Sequence, residues 1–563
     1  MSNYSGAHIC QCLSRLATVR RNSPVTIAGD RCKTGEQFVE GVLGLAGGLL
    51  ELGLRNGDVV ALCALNSDLY LEWLLAVAFV GGIAAPLNYR WSLEEASCAM
   101  DDVRPVMLVM DECSTYWYSK FRIDDMPYLR WLVYMKCPSD CGSKQFVLTT
   151  ETLNKPTLRA QPLNYFMPTD GAAMICFTSG TTGRPKGATI SHMSLVVQSL
   201  AKIAIVGYGE DDVYLHTAPL CHIGGISSAM AILMAGGCHI LVPKFEAKSA
   251  IAAIEQLHVT SFITVPAMMS DIISLIRTKE AWRGKESVTK ILNGGGGLPV
   301  ELVKDTTKFF PRAKLLSAYG MTETCSSLTF LTLYDPPKDA LNHLSHISGD
   351  PKYRLVHQPG VVCVGKPAPH VELKIISEDS SHVGRILTRG PHVMLGYWGQ
   401  IATEASCSSD EDWFDTGDIG TLDDYGNVWL VGRSKGRIKT GGENVYPEEV
   451  EAILSQHPGV SGIVVVGIPD TRLTEMVVAC IQLRDNWRWF DSCFDPSKEN
   501  KNRILSSDIL LQFCKEKHLT RFKVPKRFIV WRKQFLMTTT GKLRRDEVKR
   551  EVMSFMQFLP SNL

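Results

Sequence analysis

Short apolar runs closed by glycine or proline alternate along the chain with stretches in which apolar residues recur every three or four positions. Val59 to Ala64 reads as a strand, Leu69 to Phe79 as a helix, and Ile83 to Pro86 as the next strand. The same alternation returns in the strands His239 to Val242, Ser261 to Val265 and Lys290 to Leu292, with helical periodicity over Ala247 to Gln256 and Pro299 to Phe309. Strands that alternate with helices predict parallel sheets covered on both faces, an α/β architecture. Val25-Thr26-Ile27 already has the character of a core strand.

The pattern changes twice further on. Beyond the polar, proline-bearing stretch Tyr334 to Pro359, which reads as a long connector, come Val371 to Ile376, Gly384 to Thr388 and Asn427 to Gly432. Short strands and turns of that kind predict a small barrel or antiparallel subdomain. The charged run Arg433-Ser434-Lys435-Gly436-Arg437 then leads into a compact α+β pattern: a helix over Pro447 to Leu454 and strands over Ile463 to Gly467 and Val477 to Leu483. The predicted division is a large N-terminal domain over 1–432 and a small C-terminal domain over 433–563. Asn486 to Ser507 reads as a surface insertion.

A chain of 563 residues exceeds the size at which a single core stops growing. With 59 basic against 58 acidic side chains, bulk charge points to neither nucleic acid nor a membrane surface. The 17 cysteines lack the spacing of a zinc site and read as reduced thiols of an intracellular enzyme. The most apolar run, Tyr70 to Leu87, is interrupted by Glu72, Gly81, Gly82 and Pro86, so no transmembrane segment and a soluble chain are expected. Met1 to Gly29 has no acidic residue, as in an organelle leader, and Ser561-Asn562-Leu563 resembles a peroxisomal address. These features predict a chloroplast or peroxisome location, with a peroxisomal import receptor as a partner.

Four local sequences carry chemistry. Thr178-Ser179-Gly180-Thr181-Thr182-Gly183-Arg184-Pro185-Lys186 follows the apolar run Ala172 to Cys176. Its glycines let backbone amides turn toward an anion, while its hydroxyls and Lys186 donate to phosphate oxygens. A Walker A loop requires Gly-Lys followed by Ser or Thr, and here Gly187 follows the lysine, which removes the support for a kinase or GTPase. Ser317 to Thr324 offers Glu323 as a magnesium ligand, with Thr322 for a phosphate oxygen; the structural alternative is a helix cap. Asp418, followed by Arg433, suits the paired hydroxyls of a ribose, unless it is a turn aspartate. Thr538 to Arg545 is a loop that delivers Lys542.

In this order, the four closely resemble the motifs of the adenylate-forming superfamily of acyl-CoA synthetases, adenylation domains and luciferases. The resemblance runs from about Val25 to Lys549. It implies a fold with a mobile C-terminal domain and a reaction in which a carboxylate attacks the α-phosphate of ATP, followed by transfer of the acyl group to coenzyme A. Thr178 to Lys186 then corresponds to the loop on the β- and γ-phosphates, and Gly294 to Gly297 (with Gly295 and Gly296) and Tyr319 to the adenine walls. Thr322 corresponds to the α-phosphate contact, Glu323 to the magnesium ligand, and Asp418 with Arg433 to the ribose site. Lys542 corresponds to the lysine that neutralises charge in adenylation, Lys435 to the hinge, and Lys439, Gly441 and Gly442 to the pantetheine passage. Coumarate-type ligases carry a second lysine where this chain has Gly441.

In the acyl pocket, Pro219 to Ser228 matches the family motif with His222 beside the carboxylate, and the glycine run after Asn293 leaves room for a flat ring. These segments are most similar to the plant 2-succinylbenzoate-CoA ligases of the phylloquinone route. That likeness implies a second, free carboxylate needing a partner, for which Ser227, Ser228, His222 and Lys202 are candidates. A coumarate or benzoate ligase, a luciferase-like oxygenase and a silent nucleotide-binding scaffold are the alternatives.

Overall fold

The computed structural model describes residues 7–91, 93–114, 126–137, 147–155, 165–166, 171–179, 185–337, 361–377, 382–399, 413–433, 436–440, 443–470, 473–490, 503–517, 519, 521–537 and 543–557. The chain forms two compact units. The first comprises Met1–His346, Val364–Glu372 and Thr388–Phe414, and the second Ile347–Cys363, Leu373–Leu387 and Asp415–Leu563.

Two sheets build the first unit. One runs, in spatial order, through Arg31–Thr34, Pro24–Ala28, Cys238–Leu241, Val213–His216, Ser261–Thr264, Lys290–Asn293, Lys314–Tyr319 and Thr329–Tyr334. All neighbours are parallel except the first and last pairs, as the strand and helix alternation predicts. Thr264, Asn293 and Ser317 lie in register; two of these parallel strands end there and the third ends two residues on at Tyr319, so their following segments share one edge. Ligands of α/β sheets bind at such carboxyl ends.

The other sheet runs Leu148–Thr149, Trp131–Tyr134, Met107–Met110, Val59–Cys63, Ile83–Pro86, Ala172–Ser179, Pro185–Ser191 and Gly396–Tyr397. Here the parallel order stops at Ala172–Ser179, and the last two strands are antiparallel additions. Covering the sheets is the helix Asp68–Phe79, capped by Ser67 and buried on almost every side, as its nearly continuous apolar sequence demands. Its Trp73 is fully buried and donates a 2.9 Å hydrogen bond to Thr150 Oγ1, which satisfies the indole without loss of packing.

Two further helices matter for the site. His192–Val206 starts at the Ser191 cap and stops at Gly207, and Ile223–Ala235 stops at Gly236; both glycines have positive φ (88° and 85°), where a side chain would be strained.

Glu372–Ile376, Gly384–Arg389, Phe414–Leu422 and Val428–Arg433, most of whose residues belong to the second unit, neighbour one another in that order. A separate sheet joins Glu443–Val445, Ile438–Thr440, Thr474–Leu483 and Val460–Asp470, with Arg527–Val530 parallel to Thr474–Leu483. Helices Pro447–Leu454, Ser507–Glu516 and Arg545–Gln557 accompany it. Part of the expected insertion is regular structure: Arg488–Trp489 pairs in parallel with Ile504–Leu505. The described cysteines are free thiols. Among the described residues no helix is long and apolar enough to cross a membrane.

Candidate active site

Ala172–Ser179 and Pro185–Ser191, buried almost throughout, form an antiparallel pair with Thr178 opposite Lys186 and Ser179 opposite Pro185. The strands on either side of the glycine-rich sequence are thus antiparallel neighbours, whereas a Walker loop leads from a strand into a helix. Gly180, Thr181, Thr182 and Gly183 lie outside the described residues, as does the side chain of Ser179. What the structure does describe is the anchoring of the hairpin. Trp398 N donates to Gly187 O at 2.7 Å, and Gly396–Tyr397 pairs with Ala188 and Thr189.

That short strand brings an unanticipated residue into the site. Tyr397 Oη donates a 2.8 Å hydrogen bond to Glu323 Oε1, and the Lys186 ammonium lies 5.2 Å from the centroid of the same ring. Met394 N also donates to Glu323 O at 2.9 Å. Burial and the Glu323 carboxylate both push the Tyr397 hydroxyl up, so it remains a donor. Lys186, Tyr397 and Glu323 thus form one chain of contacts. The only signal for Tyr397 in the sequence was the Gly396-Tyr397 pair itself, which names no partner.

Glu323 sits in the single turn Thr322–Thr324, after which Cys325 and Ser326 adopt positive φ of 52° and 101°. Two consecutive non-glycine residues in that region store backbone strain, held by Thr324 Oγ1 to Met321 and by Gln198 to the Thr324 carbonyl. Gly320 precedes the turn, and a Cβ there would collide with the Ser326 carbonyl. Tyr319 ends its strand half-buried. Across the neighbouring strand, Gly295 has φ +71°, a Cβ on it would lie 3.3 Å from Val265 Cγ1, and one on Gly296 would lie 3.6 Å from Pro266. Asn293 Nδ2 holds this turn through Gly296 O at 2.6 Å.

A lone carboxylate oriented by a tyrosine, close to a lysine, suits a magnesium ion whose remaining ligands are nucleotide phosphates and water. No group of three or more His, Cys, Asp or Glu side chains among the described residues forms an all-protein metal cage.

Half-buried His222 caps the helix Ile223–Ala235, and Gly225 is required because a Cβ would strike Pro219 O. The same helix carries Ser227 and Ser228 toward Lys202 on His192–Val206. Fully buried, Lys202 Nζ donates to Ser227 Oγ at 2.6 Å, Ser228 Oγ at 3.1 Å and Ser326 Oγ at 3.4 Å. No carboxylate among the described residues pairs with it. Burial pushes this amine down to about 7, because three hydroxyls solvate an ammonium less well than water does. Of the four candidates for a second carboxylate, Lys202, Ser227 and Ser228 are thereby joined in one cluster.

In the second unit, Asp418 and Arg433 face each other across the hairpin of Phe414–Leu422 and Val428–Arg433, with Arg433 Nε 3.1 Å from Asp418 Oδ1. The Asp418 side chain is 7% exposed, whereas that of Arg433 is 55% exposed, so one partner is buried and the other reaches solvent. Lys435, Gly441, Gly442, Lys542 and the tripeptide Ser561-Asn562-Leu563 lie outside the described residues, as does the side chain of Lys439. The loop of Lys542 is closed at its base by a bridge between Met537 and Leu543. Arg545, just beyond, pairs with Glu448 at 3.2 Å and with Glu451.

Comparison with known proteins places these features in context. Residues 13–398 match the AMP-binding enzyme family and residues 449–542 the AMP-binding enzyme C-terminal domain. The chain is 57% identical over 574 aligned residues, covering 100% of both sequences, to 2-succinylbenzoate–CoA ligase, chloroplastic/peroxisomal, from Arabidopsis thaliana. It is 31% identical to the indoleacetate–CoA ligase of Aromatoleum aromaticum, over 90% of this chain and 91% of that one. Among solved structures it superposes on o-succinylbenzoate CoA synthetase from Bacillus subtilis in complex with its acyl-adenylate intermediate. The TM-score is 0.73 at 25% identity, covering 96% of this chain and 97% of that one.

Proposed function

Because the chain belongs to the AMP-binding enzyme family, we propose that it is an ATP-dependent acid-CoA ligase that activates 2-succinylbenzoate, the acyl-activating step toward phylloquinone. The full-length 57% identity to the Arabidopsis ligase carries this reading. The Lys202 cluster supports it, because an acid that keeps a free carboxylate inside the pocket needs a buried cation and hydroxyl donors, whereas a plain benzoate or cinnamate would leave that cation unpaired. Delivery to plastid and peroxisome, the compartments in the name of the Arabidopsis relative, belongs to the same reading, with an import receptor for Ser561-Asn562-Leu563 as partner.

In the first half-reaction an oxygen of the acid bonds to the α-phosphorus of ATP as the bond to pyrophosphate breaks, leaving acyl-AMP. Thr178 to Lys186 hold the β- and γ-phosphates, Thr322 the α-phosphate, Tyr319 and Gly295-Gly296 the adenine, and Asp418 with Arg433 the ribose. Glu323, oriented by Tyr397, would hold a magnesium ion, which when bound offsets the charge of the phosphates. His222 closes over the reacting carboxylate, and Lys542 neutralises the charge that builds at the α-phosphate.

In the second half-reaction the sulfur of coenzyme A bonds to the acyl carbon and AMP departs. Domain 433–563 turns about Lys435 for this step and presents Lys439, Gly441 and Gly442 to the pantetheine arm.

The test is a panel of carboxylic acids scored for thioester, AMP and pyrophosphate. 2-Succinylbenzoate should give the highest kcat/KM, and Lys202→Met should remove that preference while monocarboxylic acids still turn over. Formation of ADP in place of AMP, or no CoA consumption with any acid, would overturn the reading.

A further inference from the structure

Beneath Lys202 the sheet carries a row of polar side chains that the reaction described so far does not use. Thr26, His239, Tyr214 and Ser261 stand in register across four adjacent parallel strands, Pro24–Ala28, Cys238–Leu241, Val213–His216 and Ser261–Thr264, so their side chains leave the same face. All four are fully buried. Yet Thr26 Oγ1, His239 Nε2, Tyr214 Oη and Ser261 Oγ each lack a protein hydrogen-bond partner. His216, two residues after Tyr214 and therefore on the same face, places Nε2 2.8 Å from His239 Nδ1.

The row adjoins the Lys202 cluster. Tyr214 Oη lies beside Ser228 and the Ile263 backbone without closing a well-formed hydrogen bond to either, and Ser228 Oγ accepts from Lys202 Nζ at 3.1 Å. Folded interiors commonly satisfy such atoms with ordered water, and these four lie in one line next to an amine whose partners are all hydroxyls.

We propose that this row is an internal hydration site and that Tyr214 is a specificity-determining positioning residue: its hydroxyl, with water held along the row, orients Ser228 so that the Lys202 amine meets a second anionic group on the acid. The inference rests on the assignment of Lys202 to that group. Tyr214 touches neither nucleotide nor reacting carboxylate in this scheme, so its effect is confined to recognition of the acid.

The test is Tyr214→Phe in the full chain, which removes one oxygen and keeps the ring. Steady-state pyrophosphate release is followed with 2-succinylbenzoate and with its monocarboxylic analogues. The expected result is a KM about tenfold higher for the dicarboxylic acid, with its kcat and both constants for the analogues unchanged. In a double-mutant cycle, Ser228→Ala should absorb most of the effect of Tyr214→Phe. Equal changes for both classes of acid, no change for either, or full additivity with Ser228→Ala would overturn the proposal. Lys202→Met separates the two levels: if it leaves the preference for the dicarboxylic acid intact, the assignment of Lys202 fails; if it abolishes that preference while Tyr214→Phe is silent, only the role of Tyr214 fails.

Discussion

Tyr397 and Glu323, 74 residues apart in the chain, are joined by a 2.8 Å hydrogen bond, and the ring that supplies it also lies 5.2 Å from the Lys186 ammonium. The two-residue strand Gly396–Tyr397 thereby ties Lys186 to the carboxylate proposed for magnesium. Tyr397→Phe keeps the ring under Lys186 and removes only the hydroxyl. Loss of a hydrogen bond to a charged group is worth about 1.5–3 kcal/mol, so the magnesium concentration for half-maximal pyrophosphate release should rise about tenfold or more. An unchanged magnesium titration would mean that Tyr397 does not orient Glu323.

On the proposed role of Lys202, the choice of acid should depend on pH. Burial pushes its amine down to about 7, and it must be charged to hold a carboxylate. Below that pH the ammonium is already present; above it, binding a dicarboxylic acid must take up a proton. The ratio of kcat/KM for 2-succinylbenzoate to that for a monocarboxylic analogue should be level below about pH 7 and fall by up to tenfold per unit above it, and Lys202→Met should flatten it. The stability consequence has the opposite sign. Between the folded value and the ordinary value of 10.5, only the unfolded chain carries this proton, so the contribution of Lys202 to stability rises with pH through that window.

The two half-reactions divide the roles in the C-terminal domain. Lys542→Ala should slow acyl-AMP formation by about 10² to 10³ while thioester still forms from supplied acyl-AMP. Lys435→Pro should spare adenylation and block thioester formation. Single-turnover assays of each half-reaction decide both, and parallel losses in the two steps would assign these lysines to stability instead.

Gly320→Ala places a Cβ against the Ser326 carbonyl, in the turn that already strains Cys325 and Ser326. Overpacking of this kind costs about 1–3 kcal/mol, and here it must displace Thr322 and Glu323. Nucleotide affinity should fall along with the thermal unfolding midpoint, whereas a Gly294→Ala control, with open space around its Cβ, should leave the unfolding midpoint unchanged.

Much of the architecture was legible because it is set locally. The strand Ile83–Pro86 and the helices Ala247–Gln256 and Pro447–Leu454 match the spans read from apolar spacing, since a strand or helix that buries one face must repeat at its own period. The glycines, hydroxyls and lysine crowded into Thr178 to Lys186 are what the proposed phosphate contact is read from. Amino-acid order, by itself, determined the class of chemistry and the alternation of strand and helix. Only the tertiary structure decided that the strands flanking Gly180 to Arg184 pair antiparallel, that Tyr397 bonds Glu323, and that Lys202 meets two serines on another helix. Each of these depends on register and burial between segments far apart in the chain, and periodicity within one segment carries no information about either.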